Sequence, residues 1–148
     1  MIALGCDHGG YELKEEIKKY FEEIGIEYED FGTNSTERTD YPIYAEKVAK
    51  AIQSKKCDTG ILICKSGAGM TIVANKFKGI RAALGINEDV SRDSKADDNI
   101  NVLVLPAQYV TKSDAIASVR AWIGTEFKTG RYVDRIRMIE NIEKNEMK

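Results

Sequence analysis

The chain has little proline, tryptophan or histidine, and no surplus of either charge. Two prolines and one tryptophan occur in 148 residues, and His8 is the single histidine. The 22 basic residues meet 24 acidic ones, for a net charge of −2. Without a basic excess there is no electrostatic footprint for a nucleic-acid backbone, so any anion site must be local. No apolar run reaches the ~20 residues of a membrane-spanning helix. The three cysteines, Cys6, Cys57 and Cys64, show no CxxC spacing. That odd, scattered set argues against a disulfide framework and against zinc, and free thiols fit a reducing compartment. The opening run MIALGCDHGG reads as a strand rather than a signal peptide, so a cytoplasmic protein is expected.

What is present is alternation. Short apolar runs take turns with amphipathic segments, and no repeat or Pro/Gly-rich linker divides them, which predicts one α/β domain over residues 1–148. Strands are expected at 2–5, 26–31, 60–64, 80–85 and 101–105. Helices are expected at 11–24, with Leu13, Ile17, Tyr20, Phe21 and Ile24 on one face, and at 42–54, with Ala45, Val48, Ala49 and Ile52 inward. A third helix should end near Ala74, a fourth cover 112–127 behind a Thr111–Asp114 capping box, and a last one cover about 132–146. Residues 87–99 read as part helix, part loop. The pattern is that of a doubly wound, Rossmann-like fold with a five-stranded parallel sheet, whose ligands bind at the carboxyl ends of the strands.

That rule directs attention to GILICKSGAGMTIVANK, residues 60–76. Cys64 ends an apolar strand, and the glycines after it let backbone amides approach an anion or a developing oxyanion. A thiol there, beside Lys65, is expected to have a lowered pKa. A small buried cysteine before a tight turn explains the same residues without chemistry. The turn fits neither GxxxxGK[ST] nor GxGxxG. His8 follows a strand end beside Asp7, where an acid can orient an imidazole, although a lone histidine can equally be structural. Arg131 and Arg135 share a helix face and could clamp a phosphate or simply be solvated.

Taken together, GCDHGGYELK (5–14), DFGT (30–33), ERTDYP (37–42), GILIC (60–64), SGAGM (66–70), ANKFKGIRAAL (74–84), NVL (101–103) and the GR of 130–131 with Arg135 resemble one family, that of ribose-5-phosphate isomerase type B and galactose-6-phosphate isomerase. The resemblance covers nearly the whole chain. It implies an aldose–ketose isomerase that needs no metal or other cofactor. It also implies homodimers or dimers of dimers that share their sites. By similarity Cys64 moves the proton between C2 and C1, and the amides of Gly67, Ala68, Gly69 and Met70 stabilise the enediolate. Ser66 and Asp7 assist ring opening, His8, Arg131 and Arg135 hold the phosphate, and Tyr41 and Asn99 line the sugar pocket. The substrate implied is ribose 5-phosphate, with a hexose 6-phosphate of galactose or allose type, or a non-catalytic sugar-phosphate-binding subunit, as alternatives.

The chain departs from the family pattern in three places. The family's CGTGxG reads Cys64-Lys65-Ser66-Gly67-Ala68-Gly69. Its ring-opening His falls on Asp97 and a sugar-binding Asn on Asp98, which would set two acids near an anionic substrate. The Arg of its GxR falls on Gln108. The resemblance is therefore to a divergent member.

Overall fold

The computed structural model describes residues 1–147, and among these five strands form one parallel sheet in the order β2-β1-β3-β5-β4. The strands are β1 (Ile2–Cys6), β2 (Tyr28–Asp30), β3 (Thr59–Cys64), β4 (Ala82–Leu84) and β5 (Val102–Pro106). Every residue of β1 and β5, and all of β3 after Thr59, is buried, as strands covered on both faces must be. The two edge strands are only three residues long and half-buried, which limits the unpaired backbone they present.

The helices are α1 (Tyr11–Ile24), α2 (Tyr41–Gln53), α3 (Ala68–Ala74), α4 (Glu88–Asp98), α5 (Lys112–Ile123) and α6 (Arg131–Glu146). Side chains alternate across the sheet. Ile61 and Ile63 face a core with Ile17 and Phe21 of α1 and Val119 and Trp122 of α5. Leu62 and Cys64 face the other core, with Val48 and Ala49 of α2 and Met70 of α3. The sheet is thus doubly wound, as expected.

Some boundaries differ from the sequence reading. Segment 87–99 is helical over Glu88–Asp98, because Asn87 caps the Val90 amide and Asn99 closes the last turn in left-handed conformation. Thr111 does cap the Asp114 amide, but the helix ends at Ile123 rather than 127. On α1 the buried face is Lys14, Ile17 and Phe21, while Ile24 is about half exposed. Strands two and four, expected over 26–31 and 80–85, pair in register with their single neighbours only over Tyr28–Asp30 and Ala82–Leu84.

Topology places the site. From β1 the chain turns through α1 to β2 on one side and later returns to β3 on the other. The crevice outside the carboxyl ends of β1 and β3 is therefore the switch point where ligands bind in such sheets. Asp7 follows β1 and Lys65 follows β3 at this place.

Candidate active site

The backbone after β3 is built around one residue. Gly67 has φ +80°, a conformation that glycine adopts without strain, and there is no room for a side chain: a Cβ would lie 2.3 Å from Leu84 Cδ1. Thr71 holds the turn, donating to the Gly67 carbonyl from its amide at 3.1 Å and its hydroxyl at 2.8 Å. The turn is tied to the end of β5 by Ala107 N–H on the Cys64 carbonyl (2.9 Å) and Gln108 N–H on the Lys65 carbonyl (3.0 Å). This geometry aims the Gly67 amide at the Cys64 sulfur, at 3.1 Å. Exposed Ser66 accepts from the Ala68 amide at 3.3 Å.

Burial pushes the Cys64 thiol above its ordinary pKa, and the charge of Asp7 adds to the rise. The amides of Met70, Gly67 and Ser66 act in the opposite direction. The lowered pKa expected from the sequence is therefore corrected: Cys64 is 5% exposed, and desolvation outweighs the amides. Cys6 has no such set of amides, and burial raises its thiol to about 12. Among the cysteines, Cys64 is the one with an amide hydrogen bond to its sulfur.

Asp7, His8 and Tyr41 meet Cys64 at the same end of the sheet. The Asp7 carboxylate accepts from Gly9 N–H (2.9 Å) and Gly10 N–H (3.2 Å), capping the 3-10 turn His8–Gly10. The expectation that Asp7 orients the His8 imidazole is corrected. The Thr39 amide does so instead, donating to His8 Nδ1 at 3.2 Å. Tyr41 opens α2 and lays its ring over the glycine turn, where a Cβ on Gly69 would lie 2.4 Å from Tyr41 Cε1.

Asn99, Arg131 and Arg135 are elsewhere. The Asn99 carbonyl accepts from Arg81 Nε at 2.8 Å, just before β4 begins, and Asn101 and Val102 donate to the Arg81 carbonyl. These bonds set Asn99 at the amino end of the sheet, ~17 Å of strand away from Cys64. Asn99 is a helix cap, and a single chain does not bring it together with Cys64. Asp97 is at that end too, paired with Lys128 Nζ at 2.8 Å. The Lys128 amide donates to the Ala96 carbonyl, which brings the start of α6 alongside. There Lys128, Arg131 and Arg135 surround the Tyr132 ring at 4.9, 5.3 and 5.3 Å. Asp97 is thus neutralised by a lysine far from Cys64 and does not crowd the glycine turn.

Two contributors escaped the sequence reading. Thr39 acts through its backbone amide, 31 residues from the histidine it orients, and no residue pattern marks such a donor. Lys14 is fully buried. Its signal was available, since a charge in line with Ile17 and Phe21 on a helix face is a buried charge.

The ribose/galactose isomerase family model matches residues 2–139 of the chain. Ribose-5-phosphate isomerase B of Escherichia coli K12 is 44% identical over 142 residues, covering 96% of this chain and 95% of its own. The structure of Clostridium thermocellum ribose-5-phosphate isomerase B superposes with a TM-score of 0.95 at 43% identity, over 97% of both chains. That of the Mycoplasma genitalium enzyme with bound ribulose-5-phosphate gives 0.92 at 36% identity, over 97% of this chain and 95% of the other.

Proposed function

Because the chain belongs to the ribose/galactose isomerase family, we propose that it interconverts ribose 5-phosphate and ribulose 5-phosphate through an enediolate, with Cys64 as the base. The observation that carries this is the Cys64 sulfur held at 3.1 Å by the Gly67 amide at the sheet's switch point. Isomerisation needs a base for the proton alpha to a carbonyl and donors for the oxyanion that forms. Cys64 takes the C2 proton as the C1 carbonyl oxygen becomes the enediolate oxygen, then returns it to C1 while the C2 hydroxyl proton passes to the C1 oxygen and the C2 carbonyl forms. The amides of Gly67, Ala68, Gly69 and Met70 are the donors we assign to the developing charge, those of Gly67 and Met70 serving the Cys64 sulfur until that charge develops. Ser66 and Asp7 serve ring opening, and Tyr41 walls the sugar. Burial raises the thiol's pKa, so the thiolate that serves as base is favoured as pH rises.

We place the phosphate between His8 of one chain and Arg131 and Arg135 of a second copy. One chain holds these groups at opposite ends of its sheet, so a second must supply the arginines. The surface of α6 supports a partner: Met138 is 65% exposed, Ile142 61% and Ile139 39%. Free cysteines and the near-neutral charge suit a cytoplasmic enzyme of small molecules. Among the described residues no helix is long and apolar enough to cross a membrane.

The test is turnover of ribose 5-phosphate by the purified protein, with hexose 6-phosphates for comparison, followed by subunit mixing. Cys64→Ala and Arg131→Ala/Arg135→Ala should each be nearly inactive. In mixed dimers one of two sites regains both halves, so random pairing restores about a quarter of the sites. Mixing that restores nothing, while wild type turns over, would remove the shared site and leave the reaction.

A further inference from the structure

Lys14 is 0% exposed, on the inward face of α1 beside Ile17 and Phe21. A buried ammonium is tolerated only where its hydrogens find acceptors and its charge a partner. Here Nζ donates to Asp30 Oδ1 at 2.6 Å, to the Thr33 carbonyl, and toward Asn34 Oδ1 at 3.5 Å. Asp30 is held in turn by the Gly32 amide at 2.9 Å and Lys18 Nζ at 3.0 Å. All the acceptors of Lys14 lie on β2 or on the irregular loop 31–40 that leaves it and runs to Tyr41. The far end of that loop is tied by Thr39. Its hydroxyl lies 2.9 Å from the Tyr44 hydroxyl, and its amide donates to His8 Nδ1.

From these contacts we propose that Lys14 and Asp30 are positioning residues: the buried pair anchors loop 31–40 so that Thr39 fixes the His8 ring with Nε2–H as the donor offered to the phosphate. A neutral imidazole has one donor and one acceptor nitrogen, and the partner of one decides the role of the other. With Nδ1 accepting from Thr39, Nε2 carries the hydrogen and can donate to an anionic oxygen. A loosened loop releases Nδ1, both tautomers populate, and part of the protein then turns a lone pair toward the anion. Bulk alone does not replace Lys14, because a methionine leaves the Thr33 carbonyl and Asp30 without its N–H donors. The role of His8 at the phosphate rests on the function proposed above; its tautomer does not.

The experiment uses the single histidine. In the whole wild-type protein the ring nitrogens of His8 give an unambiguous ¹⁵N NMR signature. We expect Nδ1 as the acceptor nitrogen and Nε2 protonated. Lys14→Met should mix the tautomers and raise KM for ribose 5-phosphate by about the inverse of the fraction that keeps Nε2–H, roughly twofold for an even mixture. Its kcat should change less than about twofold, because uniform binding is what is lost. Lys14→Met/Asp30→Asn removes both buried charges together, which protects folding, and should show the same loss. Lys14→Arg keeps the charge and should keep the tautomer. A wild-type ring protonated on Nδ1 overturns the proposal. So does a folded Lys14→Met/Asp30→Asn protein whose His8 spectrum and KM match wild type. If wild type does not turn over ribose 5-phosphate, the functional reading fails, and the NMR comparison still decides the anchor.

Discussion

Replacing Gly67 with alanine tests the turn that aims its amide at Cys64. The added methyl would lie 2.3 Å from Leu84 Cδ1 and 3.3 Å from Val104 Cγ1, both on the sheet. Val104 is fully buried and β-branched, so it cannot yield, whereas the half-buried Leu84 can relieve its contact only by changing rotamer. An L-residue at φ +80° costs roughly 1–2 kcal/mol, and overpacking a buried contact adds roughly 1–3. Gly67→Ala should therefore lose about 2–5 kcal/mol of stability, read as a lower urea midpoint at unchanged slope. The strain also turns the amide away from the sulfur, which it now meets at 3.1 Å. Loss of one such donor lowers kcat on the order of 10²–10³-fold, which a turnover assay on the folded fraction would show. A Gly67→Ala protein with wild-type urea midpoint and wild-type kcat would refute both the steric argument and the role of the turn.

Other outcomes follow from the same contacts. Cys64→Ala should keep its fold and lose on the order of 10²–10⁴ in kcat, as removal of a general base does. With the thiol raised by burial, wild-type kcat/KM should climb with pH through neutrality, by up to about tenfold per unit; a profile flat from pH ~6 to ~8 would exclude a Cys64 thiolate as base. Gly69→Val should displace the Tyr41 ring, which a Cβ would approach to 2.4 Å, and raise KM for ribose 5-phosphate; an unchanged KM in a folded variant would count against Tyr41 as a wall of the sugar pocket. Asp30 gives an acid-stability test. Burial alone would raise its carboxyl, but Lys14, the Gly32 amide and Lys18 together hold it below the ordinary 3.8. Its contribution is thus complete above about pH 4 and is lost as pH falls through the lower folded value. Asp30→Asn should be less stable than wild type at neutral pH and should lose less on acidification. Urea midpoints near pH ~6 and ~3 would compare the two, and equal acid losses would count against the argument.

Much of this was legible from residue order alone. The wholly apolar run Gly60–Cys64 is a central strand because both its faces are covered, and its place before a glycine turn located the thiol. Thr111 and Asp114 announced a helix start because capping is a local bond between near neighbours. The edge strands were overestimated because a side-chain pattern records which face is covered, whereas the ladder's length is set by the partner strand. Asn87 to Asn99 looked mixed because its charges hid a helix held by its caps.

By itself the sequence determined the alternation of strands and helices, the cysteine that ends the central strand and the turn that follows it. These depend on neighbours within a few positions, where periodicity and backbone preference act. Only the tertiary structure decided three further matters. It raised the thiol's pKa, because burial outweighs amides whose directions no sequence states. It assigned the orientation of His8 to a backbone amide on a distant loop. And it put Arg131 and Arg135 at the opposite end of the sheet from Cys64, since the path of a chain through parallel strands, rather than its order, sets which groups can meet.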